Sequence, residues 1–199
     1  MKILIIGATG TIGRAVVAAL SGRHEIVEAS RKSTPLTVDI AVPASIRAMY
    51  NAVRKVDAVV SAAGQAKFGP LPSLSDEDFG LSLRDKLMGQ VNLVRYGLDN
   101  VRDGGCFVLT SGILGAEPME GSAAISLVNA GLEGFARSAA LEAPRRIRVN
   151  VVSPPWVTET MKALGMGTDG GLPAATVAQS YVQAVEGSQS GEVLSPGAR

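Results

Sequence analysis

Three glycines spaced three residues apart stand near the start of the chain, in the segment Gly7–Gly13. Glycine lets a backbone turn sharply and lets it approach a ligand closely, because it has no Cβ atom. The first N–H groups of a helix that follows such a loop, together with the helix dipole, favour a bound negative charge. The spacing therefore predicts a phosphate-binding loop, although glycines also occur in ordinary turns. The residues expected to face the phosphates are Gly7, Thr9, Gly10, Thr11 and Ile12.

The segments on either side of the loop favour the phosphate site over an ordinary turn. The strand-like run Lys2–Ile6 precedes it, and apolar residues recur at helical spacing across Thr11–Ser21. Strand, tight turn and helix in this order are typical of a dinucleotide-binding unit, whose pyrophosphate sits at the helix N-terminus. The chain is therefore predicted to begin with a nucleotide site.

A basic cluster follows the second predicted strand, at Ser30, Arg31 and Lys32. A site that prefers NAD usually has an acidic residue about 20 residues beyond the glycines, which binds the ribose 2′-hydroxyl. Arginine and lysine instead pair with a 2′-phosphate, and serine hydroxyls can hydrogen-bond to it. The cluster predicts NADP as the cofactor, and the alternative is a basic turn at the surface.

The remaining sequence alternates between strand-like and helix-like segments, which predicts an α/β fold. We expect a single domain over residues 1–199, built as a doubly wound parallel sheet (a Rossmann fold) with helices on both faces and right-handed crossovers. The predicted strands are Lys2–Ile6, Glu25–Ser30, Leu36–Ile40, Asp57–Ser61, Cys106–Thr110, Arg146–Val152 and a short one at Glu192–Leu194. The predicted helices are Thr11–Ser21, Ala44–Val53, Asp76–Val101, Ser122–Ala143 and Pro173–Glu186.

Composition argues against several other classes of protein. The formal net charge is +1 and aromatic residues make up 4% of the 199 residues, so we expect no nucleic-acid partner. No apolar stretch is long enough to cross a membrane and no secretory signal is evident, so we expect a cytoplasmic protein. Cys106 and His24 are the single cysteine and the single histidine, which leaves no cluster for a metal. Cys106 is expected to be buried as a small hydrophobic residue.

Taken together, these motifs resemble the short-chain dehydrogenase/reductase family over nearly the whole chain. Gly7–Gly13 is similar to the family's glycine loop, and its spacing is closest to that of extended and atypical branches. The resemblance implies that Asp39 and Ile40 contact the adenine. It implies that Ala62, Ala63 and Gly64 lie beside the adenosine ribose, and that Pro154, Trp156 and Val157 border the nicotinamide.

The resemblance breaks down at the active site. Family members use an Asn-Ser-Tyr-Lys set, and here the serine is matched by Ser111. Registering the helix that follows places Ile125 at the tyrosine position and Asn129 at the lysine position. Lys86 falls where the family has its asparagine. Lysine and asparagine are thus interchanged between two helices, and we hypothesise that their polar ends meet over the same ribose.

Two functions from different classes remain open. The first is an NADP-dependent oxidoreductase that transfers a hydride to or from a small carbonyl or alcohol substrate. Ser111 would donate a hydrogen bond to the substrate oxygen, Lys86 would supply a positive field or, through water, a proton, and Asn129 would bind the ribose. The second is a catalytically silent NADP-binding sensor or structural protein. Without the resemblance, a solvated lysine, a turn-capping serine and a helix-packing asparagine explain the three residues.

The helices Asp76–Val101 and Ser122–Ala143 also suggest a partner. The second is rich in alanine and glycine, which allows another helix to approach closely. In the resembling family this pair of helices commonly forms a dimer interface, so we expect a homodimer. The alternative is that the small residues only pack on the sheet.

Overall fold

A seven-stranded parallel sheet forms the centre of the molecule, with strand order β3-β2-β1-β4-β5-β6-β7. The computed structural model describes residues 1–197, so positions 198 and 199 of the predicted domain lie outside the described residues. The order reverses after β1, where the chain crosses from β3 to β4. The strands are β1 Lys2–Ile6, β2 Glu25–Ser30, β3 Leu36–Thr37, β4 Val56–Ser61, β5 Val101–Thr110, β6 Arg148–Val152 and β7 Val193–Leu194.

Helices cover both faces of this sheet, as the alternating sequence predicts. None of the helices within residues 1–197 has the length and apolar character that crossing a membrane would require. The α-helices are α1 Thr11–Leu20, α2 Pro43–Val53, α3 Asp76–Ser82, α4 Met88–Gly97, α5 Ala123–Glu142, α6 Thr158–Ala163 and α7 Ala174–Glu186. A π-helical turn, Leu83–Leu87, joins α3 to α4, and short 3₁₀ turns lie at Leu71–Ser73, Leu98–Asn100 and Ile113–Gly115.

The apolar strand β1 shows why both faces of the sheet are covered. Successive side chains of a strand point to opposite faces. Leu4 and Ile6 pack into the core on the side of α2, α4 and α5, whereas Ile3 and Ile5 pack on the side of α1 and α7. Burying each such side chain stabilises the fold by about 1.5–3 kcal/mol. The prediction of a doubly wound parallel sheet is confirmed.

The predicted helix Asp76–Val101 is wrong as a single α-helix. The π-helical turn interrupts it, and Val101 is the first residue of β5, where it pairs with Val56. Gly104 and Gly105, of a residue type that commonly follows the end of a helix, lie inside β5. The pairing shifts from Val56–Val101 to the next pair, Ala58–Cys106, so β5 has extra residues there, and Gly104 absorbs the distortion with a φ of +73°.

Other boundaries differ from the prediction for local reasons. The third strand stops at Thr37 instead of Ile40, and the sixth begins at Arg148 because Arg145 and Arg146 adopt left-handed φ angles of 54° and 57°. Helix α6 was not predicted. It is six residues long and buries one side chain, Met161, so it has no apolar stripe to reveal it.

Candidate functional site

The glycine loop lies where β1 meets α1, at the carboxyl edge of the sheet. Gly7 has a φ of +80°, and a Cβ atom there would lie 2.6 Å from the carbonyl oxygen of Ala62. A Cβ atom on Gly13 would collide with the carbonyl oxygen of Gly7. Gly10 is the N-cap of α1 and no side chain caps the helix. The loop is thus folded tightly, and the positive end of the helix dipole is left for an anion.

A first cavity of about 270 Å³ opens beside this loop. The reversal of strand order at β1 and β4 is the place where nucleotides bind in such sheets. The predicted residues that line the cavity are Gly7, Thr9, Gly10, Ser30, Arg31, Ile40, Ala62, Ala63 and Gly64, and the unpredicted ones are Ile6, Val38, Gln65 and Asp85. Four residues predicted for the phosphates or the adenosine do not line it: Thr11 and Ile12 begin α1, Lys32 is exposed, and Asp39 follows β3.

Arg31 points toward two carboxylates at the mouth of this cavity. Its Nη2 atom donates to Oδ2 of Asp85 at 2.9 Å, and its Nε atom lies 3.7 Å from Oδ2 of Asp39. The other oxygen of Asp85 accepts the backbone N–H of Gln65 at 2.7 Å. Asp85 was missed by the sequence reasoning, because a charged residue in a helix is usually solvated and nothing in the pattern marked this one as buried.

A second cavity of about 240 Å³ lies at the carboxyl ends of β5 and β6. Ile125, the residue registered at the family's tyrosine position, lines it and supplies no group that could transfer a proton. The predicted residues that line this cavity are Ile12, Lys86, Ser111, Asn129, Pro154, Trp156 and Val157, and the unpredicted ones are Gly112, Ile113, Leu114, Ile125, Pro155 and Thr160.

Lys86 and Asn129 donate to consecutive carbonyl groups just beyond β5. Lys86 Nζ lies 3.1 Å from the carbonyl oxygen of Ser111, and Asn129 Nδ2 lies 3.2 Å from that of Gly112. The two side chains therefore reach the same cavity from two elements, the π-helical turn and α5. Burial lowers the pKa of Lys86 to about 8, although the neighbouring Asp85 carboxylate acts in the opposite direction.

The side chain of Asn129 leaves one polar atom without a partner. Its Oδ1 atom is buried and accepts no hydrogen bond in the described structure, and the residue as a whole is 2% exposed. A buried acceptor without a donor is costly, about 1–3 kcal/mol. Asn129 lines the second cavity, so a ligand hydroxyl or amide there would satisfy this atom once the side chain turns toward it, and the cavity fits a polar group such as a ribose or a carboxamide.

Ser111 is engaged by a second residue that the sequence reasoning missed. Its Oγ atom donates to Oε1 of Glu133 at 2.9 Å, and both side chains are buried. Glu133 follows Asn129 by four residues on α5, and residues four apart share a helix face, so the spacing could have revealed it. While this bond is formed, Ser111 offers lone pairs to the cavity. Donation to a substrate oxygen requires the hydroxyl to turn away from Glu133.

Comparison with known proteins supports the class that the fold and cavities indicate. A family model described as Enoyl-(Acyl carrier protein) reductase matches residues 12–191. Hydroxynaphthalene reductase arp2 of Aspergillus fumigatus is 30% identical over 69% of this chain and 54% of its own length. Carbonyl reductase family member 4 of Danio rerio is 30% identical over 80% of this chain and 77% of its own length.

Solved structures agree with the fold. The protein lin1944 from Listeria innocua superposes with a TM-score of 0.94 at 44% identity, covering 98% of each chain. A small-chain dehydrogenase in complex with NADPH superposes with a TM-score of 0.87 at 24% identity, covering 98% of this chain and 95% of that one.

The parallel sheet, the glycine loop and the cavity beside it define a nucleotide-binding α/β protein. The chain belongs to the short-chain dehydrogenase/reductase family, which confirms the resemblance drawn from its motifs. It spans 54% to 80% of the length of the curated relatives it matches.

Proposed function

We propose that this protein is an NADP-dependent oxidoreductase that acts on a small carbonyl or alcohol compound. The observation that supports this most strongly is the placement of Lys86, Ser111 and Asn129 around one cavity, at the sheet edge that also carries the glycine loop. The unpartnered Oδ1 atom of Asn129 adds a demand for a polar ligand there.

The residues of the first cavity fit the adenosine and phosphate portions of the coenzyme. The absence of Cβ atoms at Gly7 and Gly13 brings the backbone close to the pyrophosphate position, and the α1 dipole favours its charge. Arg31 and Ser30 would hold the 2′-phosphate. When bound, NADPH supplies a hydride. A small-chain dehydrogenase of the same fold has been solved in complex with NADPH, which is consistent with this cofactor.

The residues of the second cavity would bind the nicotinamide ribose and the substrate oxygen. Lys86 places a positive charge beside the cavity, and its pKa of about 8 lets it hold or release a proton near neutral pH. Ser111 would donate a hydrogen bond to the oxygen where negative charge develops. General acid catalysis contributes about 10²–10⁴-fold, so with Ile125 in place of a tyrosine we expect slow turnover.

A silent nucleotide-binding protein is the second candidate. Two observations favour it: Ile125 occupies the cavity wall, and the proton of Ser111 is directed at Glu133 instead of the cavity. In that case the coenzyme would bind without any redox change.

Turnover at saturating coenzyme distinguishes the two functions. Absorbance of NADPH is followed over a panel of ketones, aldehydes, quinones and enones, with the wild type, Ser111→Ala and Lys86→Ala. If the protein is an oxidoreductase, we expect measurable oxidation of NADPH at a rate that falls at least tenfold in both variants. The rate should be unchanged in the control Ser21→Ala, whose hydroxyl lies at the exposed end of α1. Coenzyme binding with no turnover on any compound would establish the silent protein.

We also propose a homodimer that packs through α4 and α5. A groove of about 340 Å³ runs between them, lined mainly by apolar atoms of Val94, Leu98, Phe135 and Ala139. Small residues on α5 would allow the same helices of a second copy to approach.

A further inference from the structure

The guanidinium group of Arg31 is held between two carboxylates from different elements. Asp85 belongs to the π-helical turn Leu83–Leu87, and Asp39 follows β3. Nη2 of Arg31 donates to Asp85 at 2.9 Å and Nε lies 3.7 Å from Asp39. These two nitrogen atoms form one edge of the guanidinium plane, and this is an edge through which arginine grips an oxyanion in a bidentate way.

Asp85 is the fixed member of this group. Its side chain is 8% exposed whereas that of Arg31 is 45% exposed. One oxygen of Asp85 accepts the N–H of Gln65 and the other accepts Arg31, so the buried carboxylate is hydrogen-bonded on both sides. A buried charge persists when it is paired and hydrogen-bonded in this way. The arginine is therefore the partner that is free to turn.

The position of Asp85 opposes the binding of a phosphate group at the same arginine. Asp85 and Arg31 both line the first cavity. A 2′-phosphate carries close to two negative charges, so the Asp85 carboxylate repels it and also occupies the hydrogen-bonding edge of Arg31 that the phosphate would use.

We propose that Asp85 sets the discrimination between NADPH and NADH by competing with the 2′-phosphate for Arg31. This inference rests on the proposed function, in which NADP is the coenzyme. Binding of NADPH breaks the Arg31–Asp85 contact or shares the guanidinium between the two anions, which weakens the complex. Binding of NADH, which has no 2′-phosphate, leaves the contact intact. Asp85 is thus a specificity-determining residue that acts through Arg31.

The test is the dissociation constant of each coenzyme, measured by calorimetry on the full chain and on Asp85→Asn. Asparagine keeps an acceptor for the Gln65 N–H but has no charge, so we expect NADPH to bind about tenfold more tightly and NADH to bind as before. The matched control is Asp57→Asn, which removes the same charge from the Arg102 ion pair at the opposite edge of the sheet and should change neither constant. Asp85→Ser serves the same purpose if the asparagine variant does not fold.

Further measurements test whether Asp85 acts by competing with the 2′-phosphate for Arg31. In an Arg31→Met background, the gain from Asp85→Asn should largely disappear, because no guanidinium remains to be released. An equal gain in NADPH affinity in that background overturns the competition between Asp85 and the 2′-phosphate. So does unchanged or weakened NADPH binding by Asp85→Asn when the wild type binds NADPH. Either result leaves the proposed function standing. If the wild type and the variants bind neither coenzyme, the proposed function itself fails, and this inference fails with it.

Discussion

Among the single residues of the site, Lys86 is the one whose environment departs most from that of an ordinary surface residue. Its ammonium group donates to the backbone carbonyl of Ser111, and burial lowers its pKa to about 8. Such a lysine is partly neutral at physiological pH, so it can give up or take up a proton where a surface lysine cannot. The same desolvation must affect the stability of the fold.

The pH dependence of unfolding should report the charge of Lys86. Its pKa in the folded protein, about 8, lies below the ordinary lysine value of 10.5, so between these values the unfolded chain binds more protons and the free energy of unfolding rises with pH. Lys86→Met and Lys86→Arg should both remove this rise. Urea unfolding at several pH values from 7 to about 10 measures it.

Burial raises the pKa of Cys106 to about 11, which lowers stability at high pH in all three proteins. The quantity to compare is therefore the difference in the free energy of unfolding between the wild type and each variant at the same pH. If the free energy of unfolding varied with pH in the same way for the wild type and Lys86→Met, Lys86 would titrate as a solvated residue.

The buried contact between Ser111 and Glu133 should be energetically strong. A hydrogen bond to a charged group contributes about 1.5–3 kcal/mol, so a double-mutant cycle of Ser111→Ala and Glu133→Ala should give a coupling free energy in this range. The exposed pair Arg23–Glu186 is the comparison, where we expect a coupling below about 1 kcal/mol. Equal coupling in the two cycles would mean that Glu133 does not fix Ser111.

Among the elements, α1 packs so closely against the glycine loop that adding a single methyl group should disturb both. A Cβ atom at Gly13 would collide with the carbonyl oxygen of Gly7, so Gly13→Ala must push α1 away from the loop. We expect coenzyme binding to be lost and the free energy of unfolding to fall. In Gly134→Ala, also within a helix but with no atom near the new methyl group, stability should instead rise by about 0.5–1 kcal/mol. Intact coenzyme binding by Gly13→Ala would contradict the loop's role.

The proposed homodimer packs through the helices α4 and α5. Ser138 is exposed and lines the groove between these helices, so Ser138→Arg places a bulky charge there without disturbing the core. We expect this variant to be a monomer by light scattering coupled to gel filtration, whereas the wild type and the control Ala18→Arg, on the exposed face of α1, are dimers. A monomeric wild type would exclude the dimer.

The elements also show how far the sequence predicts the structure. Strands such as β1 and helices such as α5 are predictable because an apolar run or an apolar stripe determines them locally. The π-helical turn Leu83–Leu87 is not, because its apolar residues continue the stripe of the neighbouring helices. The extension of β5 back to Val101 depends on pairing with β4, which is a tertiary contact that periodicity does not contain.

For the whole molecule, the parallel sheet and its carboxyl edge explain why the predicted site residues lie together. Residues that follow β1, β2, β4, β5 and β6 converge on one edge of the sheet. The residues that come directly after predicted strands therefore include many of those that line the two cavities. The two acidic residues that hold Arg31 and Ser111, Asp85 and Glu133, were missed. Both are buried charges on helices, and their burial is decided by the packing of the complete fold.

Calorimetric titration of the wild type with NADPH and NADH measures whether this edge of the sheet binds a nicotinamide coenzyme that carries a 2′-phosphate. We expect saturable binding of NADPH and weaker binding of NADH, because the coenzyme without the phosphate loses a charge-assisted contact with Arg31. No saturation with either coenzyme at millimolar concentration, or equal affinity for the two, would contradict it.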